Sequence, residues 1–260
     1  LAILFGLGKW NWSGLAGGAA TRHQLRASTL LPLDFCPFGI FAMPSGSLAA
    51  IFDLDGVLTS TSARHEQSWA EAAGRFGLPV SAAALKATRS VPRVSSLAAI
   101  LTHAGVTMDE AQRNAVMAFK DRRYQELIAG LGPMDAFEGA REALESCRRL
   151  GLTTAVASAS LNARQVLERL ELISLVEFVA DPRDAAPKPS AEIYGRCCAA
   201  LGVFPQNAIC IEDGAPMIAN LRAEGMYTVG VGLEPLGADE QVAAIAEWDL
   251  VACVARLNAR

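Results

Sequence analysis

The hydrophobic pattern changes character twice along the chain. Leu48 to Phe52 is an unbroken apolar run that discharges into Asp53, Leu54, Asp55 and Gly56. A run without polar alternation predicts a strand buried on both faces of a parallel sheet. From Ser62 to Phe76 the apolar period becomes helical, with His65, Trp69, Ala73 and Phe76 at i, i+4, i+8 and i+11, until Gly77 and Pro79 stop it. A second helix is expected from Ser81, a third after Pro92 through Leu97, Ile100 and Leu101 to Gly105, and a fourth through Met117, Tyr124 and Leu127 to about Gly130. Thr107 to Glu110 read as the capping box that opens the fourth.

Beyond Gly132 and Pro133 helices alternate with apolar strands. Helices are expected near 138–150, 162–170, 191–201 and 215–223, and strands near 153–158, 177–180, 208–211 and 227–231. Regular alternation of this kind predicts an α/β fold, a parallel sheet with helices on both faces. The expected organisation is a core from residues 48–59 and 135–260, interrupted by an all-helical insertion at 60–134. Residues 1–47 stand apart, with Gly-rich sequence and no clear period over 1–42. They are expected to be an extension, poorly ordered or not native to the domain, with the domain starting near Met43. A targeting peptide is the alternative, suggested by Thr21 to Leu31, which carries Arg22, Arg26 and Ser28 without an acid.

Composition narrows the function classes. A chain of 260 residues that is 52% hydrophobic can bury a full core. A net charge of -4 argues against holding nucleic acid or an anionic membrane by bulk electrostatics. No apolar run approaches a membrane span. The six cysteines show no C-x-x-C pair, and buried reduced thiols of a cytoplasmic protein are the plain expectation.

Polar groups recur where the predicted strands end: Asp53 and Asp55 after the first, then Ser158, Asp181, and the pair Glu212 and Asp213. Strand ends in such a sheet converge on one crevice. Residues two apart in extended chain point the same way, so Asp53 and Asp55 share a pocket, and Gly56 permits the turn that follows. Together with Glu212 and Asp213 they concentrate four carboxylates, which require a counterion, and an oxygen donor set of this kind suits Mg²⁺. Lys188, between Pro187 and Pro189, sits on a stiff loop that suits a fixed charge.

Asp53, Asp55, Gly56 and Thr59 resemble the first motif, Asp-x-Asp-Gly-x-x-Thr, of the haloacid dehalogenase-like phosphotransferases. Ser158 resembles the second, Lys188 the third, and Glu212 with Asp213 the fourth, in order. The resemblance implies a Rossmann-like core with a small helical cap. It implies Asp53 as the nucleophile that forms an aspartyl phosphate, Asp55 as general acid and base, and Ser158 and Lys188 stabilising phosphoryl oxygens. Mg²⁺ would be held by Asp53, Asp55, Glu212 and Asp213.

Further positions resemble the β-phosphoglucomutase branch of that family. His65, Trp69, Lys120 and Arg93 match cap residues of that branch, and Ser160 and Asn162 match its phosphate-binding loop. Lys120 would partner His65, and Arg93 would grip the phosphate far from the reacting one. Taken singly, each has a plain packing, solvation or capping role. The branch implies interconversion of β-glucose 1-phosphate and glucose 6-phosphate by a monomer, with glucose 1,6-bisphosphate as intermediate and activator. The sequence departs from the branch at Ser60, at Ser90 to Pro92, at Leu161 and at Gly214 to Met217. A sugar-phosphate phosphatase, or a catalytically weak phospho-ligand binding domain, stays open.

Overall fold

A computed structural model describes residues 47–88 and 91–260. The extension assigned to residues 1–47, with Cys36, lies outside the described residues but for Ser47, and Arg89 and Ser90 lie outside them too. Six parallel strands form the sheet, in the order β3-β2-β1-β4-β5-β6. These are β1 (Ala49–Phe52), β2 (Thr153–Val156), β3 (Phe178–Val179), β4 (Ala208–Glu212), β5 (Tyr227–Val231) and β6 (Glu240–Val242). The apolar run puts β1 in the middle, with Ile51 level with Ala155 of β2 and Cys210 of β4.

Alternate residues of each strand feed two cores. Ala50 and Phe52 pack with Val156, Ile209, Ile211 and Val229 on one face. Ala49 and Ile51 pack with Ala155, Ala208 and Cys210 on the other. Helices α5 (Ala140–Arg149), α6 (Ala163–Arg169), α7 (Glu192–Leu201), α8 (Ala215–Ala223) and α9 (Leu250–Asn258) accompany the strands. β6 and α9 are elements that the sequence pattern did not assign. β6 is short and not fully buried, so it carries no apolar run. The period of α9 rests on Leu250, Cys253 and Leu257 alone.

Between β1 and α5 lie α1 (Ser62–Arg75), α2 (Ala82–Lys86), α3 (Arg93–Ala104) and α4 (Glu110–Ile128). They share their own apolar cluster, including Trp69, Ala73, Leu97, Ile100 and Val116. The chain leaves the sheet and returns at one place, where Thr59 and Ala136 form an isolated bridge and Thr59 Oγ1 donates to Asp135 O at 2.7 Å. α4 corrects one expectation. Its capping box is built by Asp109 and Gln112, not by Thr107 and Glu110: the Asp109 carboxylate accepts Gln112 N–H at 2.8 Å, and the Gln112 side chain accepts Asp109 N–H at 3.0 Å. The acid nearest the first helical turn satisfies an orphan amide that a residue two positions upstream would not reach.

No helix among the described residues is long and apolar enough to cross a membrane. The five described cysteines are free and buried.

Candidate active site

β1 ends by delivering Asp53, 5% exposed, to the carboxyl edge of the sheet, where its N–H continues the ladder to Ile211 O at 2.9 Å. β4 ends beside it with Glu212 and Asp213. One ligand atom from each of Asp53, Glu212 and Asp213 can be chosen so that all lie within 4.8 Å of one another. Gly56 makes this approach possible. Its φ is +97°, and a Cβ there would lie 1.9 Å from Asp213 Oδ2. Glycine is thus required at 56 both by its backbone and by the carboxylate against it.

Lys188 reaches into the same spot from the loop after β3, its Nζ donating to Asp53 Oδ1 at 2.8 Å and to Glu212 Oε2 at 3.1 Å. The buried Tyr194 hydroxyl donates to Glu212 as well. Burial alone would lower the Lys188 ammonium, but Asp53 and Glu212 outweigh it and hold the group above its ordinary range. Burial and the neighbouring Asp53 push Glu212 up to about 8, and partial desolvation and Asp53 push Asp213 up to about 6. One ammonium does not offset three clustered carboxylates. A hard divalent cation fits this donor set, which offers oxygen ligands only.

Asp55 is not gathered with those three. Its Oδ1 accepts Thr61 N–H at 2.5 Å and Thr61 Oγ1–H at 2.7 Å. Its side chain lines the same cavity as Asp53, with burial raising its pKa. Thr61 and Tyr124 were not singled out by sequence. Tyr124 Oη donates to Thr61 Oγ1 at 3.0 Å, which ties α4 to the carboxylate of Asp55. A tyrosine in a helical period reads as core, and Tyr124 is indeed fully buried; nothing in its spacing marks the hydroxyl.

A cavity of about 220 Å³ lies between the sheet edge and the helical segment. Asp53, Asp55, Ser158, Lys188, His65, Trp69, Arg93, Lys120, Ser160 and Asn162 all line it. Glu212 and Asp213 stand behind Asp53 and do not. On the loop after β2, Ser158 Oγ accepts Ser160 N–H at 3.1 Å and Ser160 Oγ accepts Asn162 N–H at 3.2 Å. On the helical side, Lys120 Nζ lies 2.8 Å from His65 Nδ1, above the rings of Trp69 and Tyr124. Burial and Arg93 lower Lys120 to about 7, and burial and Lys120 lower His65 to about 2. Arg93 forms an ion pair with Asp121, a residue that the sequence reading did not single out. Arg183, also on the cavity wall, is held by Asp181.

The altered loop after β4 keeps its frame. Pro216 lies in the first turn of α8, where its missing N–H leaves no bond unmade, and Met217 is buried in the core of the second sheet face.

Comparison with known proteins agrees with this arrangement. Residues 48–224 match the haloacid dehalogenase-like hydrolase family. The chain is 34% identical over 196 residues to a β-phosphoglucomutase of Bacillus subtilis, covering 74% of this chain and 87% of that protein. It is 26% identical over 208 residues to a validoxylamine A 7'-phosphate phosphatase of Streptomyces hygroscopicus, covering 78% of this chain and 91% of the other. Its structure superposes on a β-phosphoglucomutase from Clostridium difficile with a TM-score of 0.77 at 28% identity, over 82% of this chain and 98% of that one. The strand that carries Asp53, the opposed Lys188 and the acidic edge of β4 all lie within the matched residues, and the chain belongs to the haloacid dehalogenase-like hydrolase family.

Proposed function

We propose that the protein is a phosphomutase that interconverts β-glucose 1-phosphate and glucose 6-phosphate, passing a phosphoryl group through Asp53 and releasing glucose 1,6-bisphosphate as intermediate. The observation that carries the reading is the separation of two carboxylates on one cavity wall. Asp53 is pinned by Lys188 Nζ at 2.8 Å, whereas Asp55 is held through Oδ1 by Thr61, and both line the cavity. A nucleophile and a proton carrier need such different surroundings.

In the forward half-reaction Asp53 of the phosphorylated protein gives its phosphoryl group to the sugar hydroxyl. Asp55 takes the hydroxyl proton as the new P–O bond forms and the aspartyl P–O bond breaks. In the second half-reaction, with the bisphosphate reversed, Asp53 attacks the other phosphorus and Asp55 returns the proton to the leaving sugar oxygen. Lys188 and Ser158 hold the oxygens that gain charge during each transfer. Asp53, Glu212 and Asp213 would hold Mg²⁺, which neutralises charge on the phosphoryl oxygens when bound. Residues 60–134 act as the cap. His65, Lys120 and Trp69 then meet the sugar, while Arg93 and Asn162 take the second phosphate and exclude water from the aspartyl phosphate.

A second reading is a sugar-phosphate phosphatase, favoured by the Streptomyces relative and by the pairing of Arg93 with Asp121. A coupled assay with Mg²⁺, β-glucose 1-phosphate and a trace of glucose 1,6-bisphosphate, following glucose 6-phosphate and free phosphate separately, decides between them. Glucose 6-phosphate without matching phosphate release is the expected result. Phosphate release as the main product would leave Asp53 and Asp55 in their roles and overturn the mutase.

A further inference from the structure

Four cationic side chains line the cavity among the described residues: Arg93, Lys120, Arg183 and Lys188. Three of them are already met by carboxylates: Lys188 by Asp53 and Glu212, Arg183 by Asp181, and Arg93 by Asp121. A substrate with a second phosphate therefore cannot simply enter an empty cationic pocket at Arg93. It must take the guanidinium from a partner that already holds it.

The geometry of that partner is specific. Asp121 Oδ1 accepts from the Arg93 guanidinium on α3 and also from Asn162 Nδ2, at 3.2 Å, on the loop after β2. One oxygen thus joins two donors that come from opposite sides of the cavity. Gln125 Nε2 donates to the other oxygen, Asp121 Oδ2, at 3.3 Å. Arg93 and Asn162 both line the cavity, but Asp121, on α4, does not. The two side chains are 22% and 26% exposed, so the pair is neither freely solvated nor sealed off. It is a half-buried contact that an incoming dianion can break.

We propose that Asp121 is a specificity-determining residue: its carboxylate holds Arg93 and Asn162 in the absence of substrate and is displaced by the substrate's second phosphate. This rests on the functional reading above, which gives Arg93 and Asn162 to that phosphate. Exchange of one oxyanion for another keeps both donors satisfied in each state, so neither is left buried and unpaired when the cavity empties. It also sets a threshold. A neutral group offers Arg93 less than Asp121 already does and a single charge no more, whereas a phosphate dianion with three acceptor oxygens offers more. Asp121 acts through Arg93 and does not touch the reacting atoms, which makes it a positioning residue rather than a catalytic one.

The test measures KM and kcat for glucose 1,6-bisphosphate in the coupled assay, with the full chain and Mg²⁺. The proteins are the parent, Asp121→Asn, Arg93→Lys and the double variant. Asp121→Asn keeps shape and one acceptor oxygen for Arg93 and Asn162, gives up the bond from Gln125 Nε2 and drops the competing charge, and it is expected to lower KM by about five- to tenfold with kcat held. Arg93→Lys, which cannot take two acceptors in a fixed fork, is expected to raise KM and to erase most of the benefit of Asp121→Asn. A KM that stays unchanged or rises in Asp121→Asn, or one that falls equally in the Arg93→Lys background, would overturn the exchange and leave the phosphomutase standing. A parent that makes no glucose 6-phosphate would remove both.

Discussion

The two walls of the cavity hold their charges in opposite ways. On the sheet side Lys188, Asp53, Glu212 and Tyr194 form one buried cluster in which the ammonium is held above its ordinary range by the acids around it. On the helical side Lys120 has His65 and two aromatic rings as its nearest contacts, and burial with Arg93 lowers it to about 7. The first wall is a closed cluster of acids and one ammonium whose oxygen donors suit a divalent cation. The second is unfinished at Lys120, whose nearest contacts carry no negative charge, while Arg93 is held by Asp121. On the proposed reading, shared catalytic machinery and substrate selectivity sit on separate walls of one cavity.

The comparison breaks most visibly at Lys188. Lys188→Met leaves Asp53 and Glu212 facing each other without a cation, and in metal-free protein it is expected to cost up to about 3–5 kcal/mol of stability, read from denaturant unfolding. Glu212, already raised to about 8, is mostly protonated at pH 7 and keeps the loss toward the lower end. Mg²⁺ should restore much of the stability but not the activity.

Lys120→Met is expected to act with the opposite sign. Because its folded value of about 7 lies below the ordinary 10.5, the unfolded chain binds a proton that the folded one lacks between those values. The penalty on folding is full below about pH 7 and disappears as pH rises toward 10.5. His65 on α1, Arg93 on α3, and Asp121 and Tyr124 on α4 surround this group; of these His65, lowered chiefly by burial, loses the further lowering that Lys120 adds. Lys120→Met should therefore melt at a higher temperature than the parent at pH 6, by a margin that shrinks steadily toward pH 10. A margin that stays constant or grows with pH would show that Lys120 is not held under the strain described.

The smallest effect sharpens the contrast by leaving both walls intact. Asp109→Ala removes the cap of α4 and is expected to cost about 1 kcal/mol, with KM and kcat unmoved. Thermal unfolding against steady-state kinetics reads it.

What was legible in sequence follows the same division. Asp53, Glu212, Asp213, Ser158 and Lys188 stand at ends of apolar runs or between prolines, and a polar group at the end of a buried strand has nowhere to go but the crevice. β1, β4 and β5 were readable because both their faces are buried, whereas β6 was not because it is only partly covered. Asp55 shows the limit of spacing. It sits two residues from Asp53, yet the turn at Gly56 brings Thr61 back to claim its oxygen, and alternation along a strand does not foresee a hydrogen bond from the chain beyond the turn. Asp121 and Tyr124 were hidden for the converse reason: on a long helix with a broad polar face, pattern says which side is buried but not which side chain reaches across to another element.

The most direct test of the account is to incubate the protein with glucose 1,6-bisphosphate and Mg²⁺, quench in acid, and locate the phosphoryl group by peptide mass spectrometry. The account predicts one acid-stable, base-labile phosphoryl group on the peptide that carries Asp53, and none in Asp53→Asn, whose turnover should fall by about a thousandfold or more. Full turnover by Asp53→Asn, or a phosphoryl group found on any other residue, would contradict it.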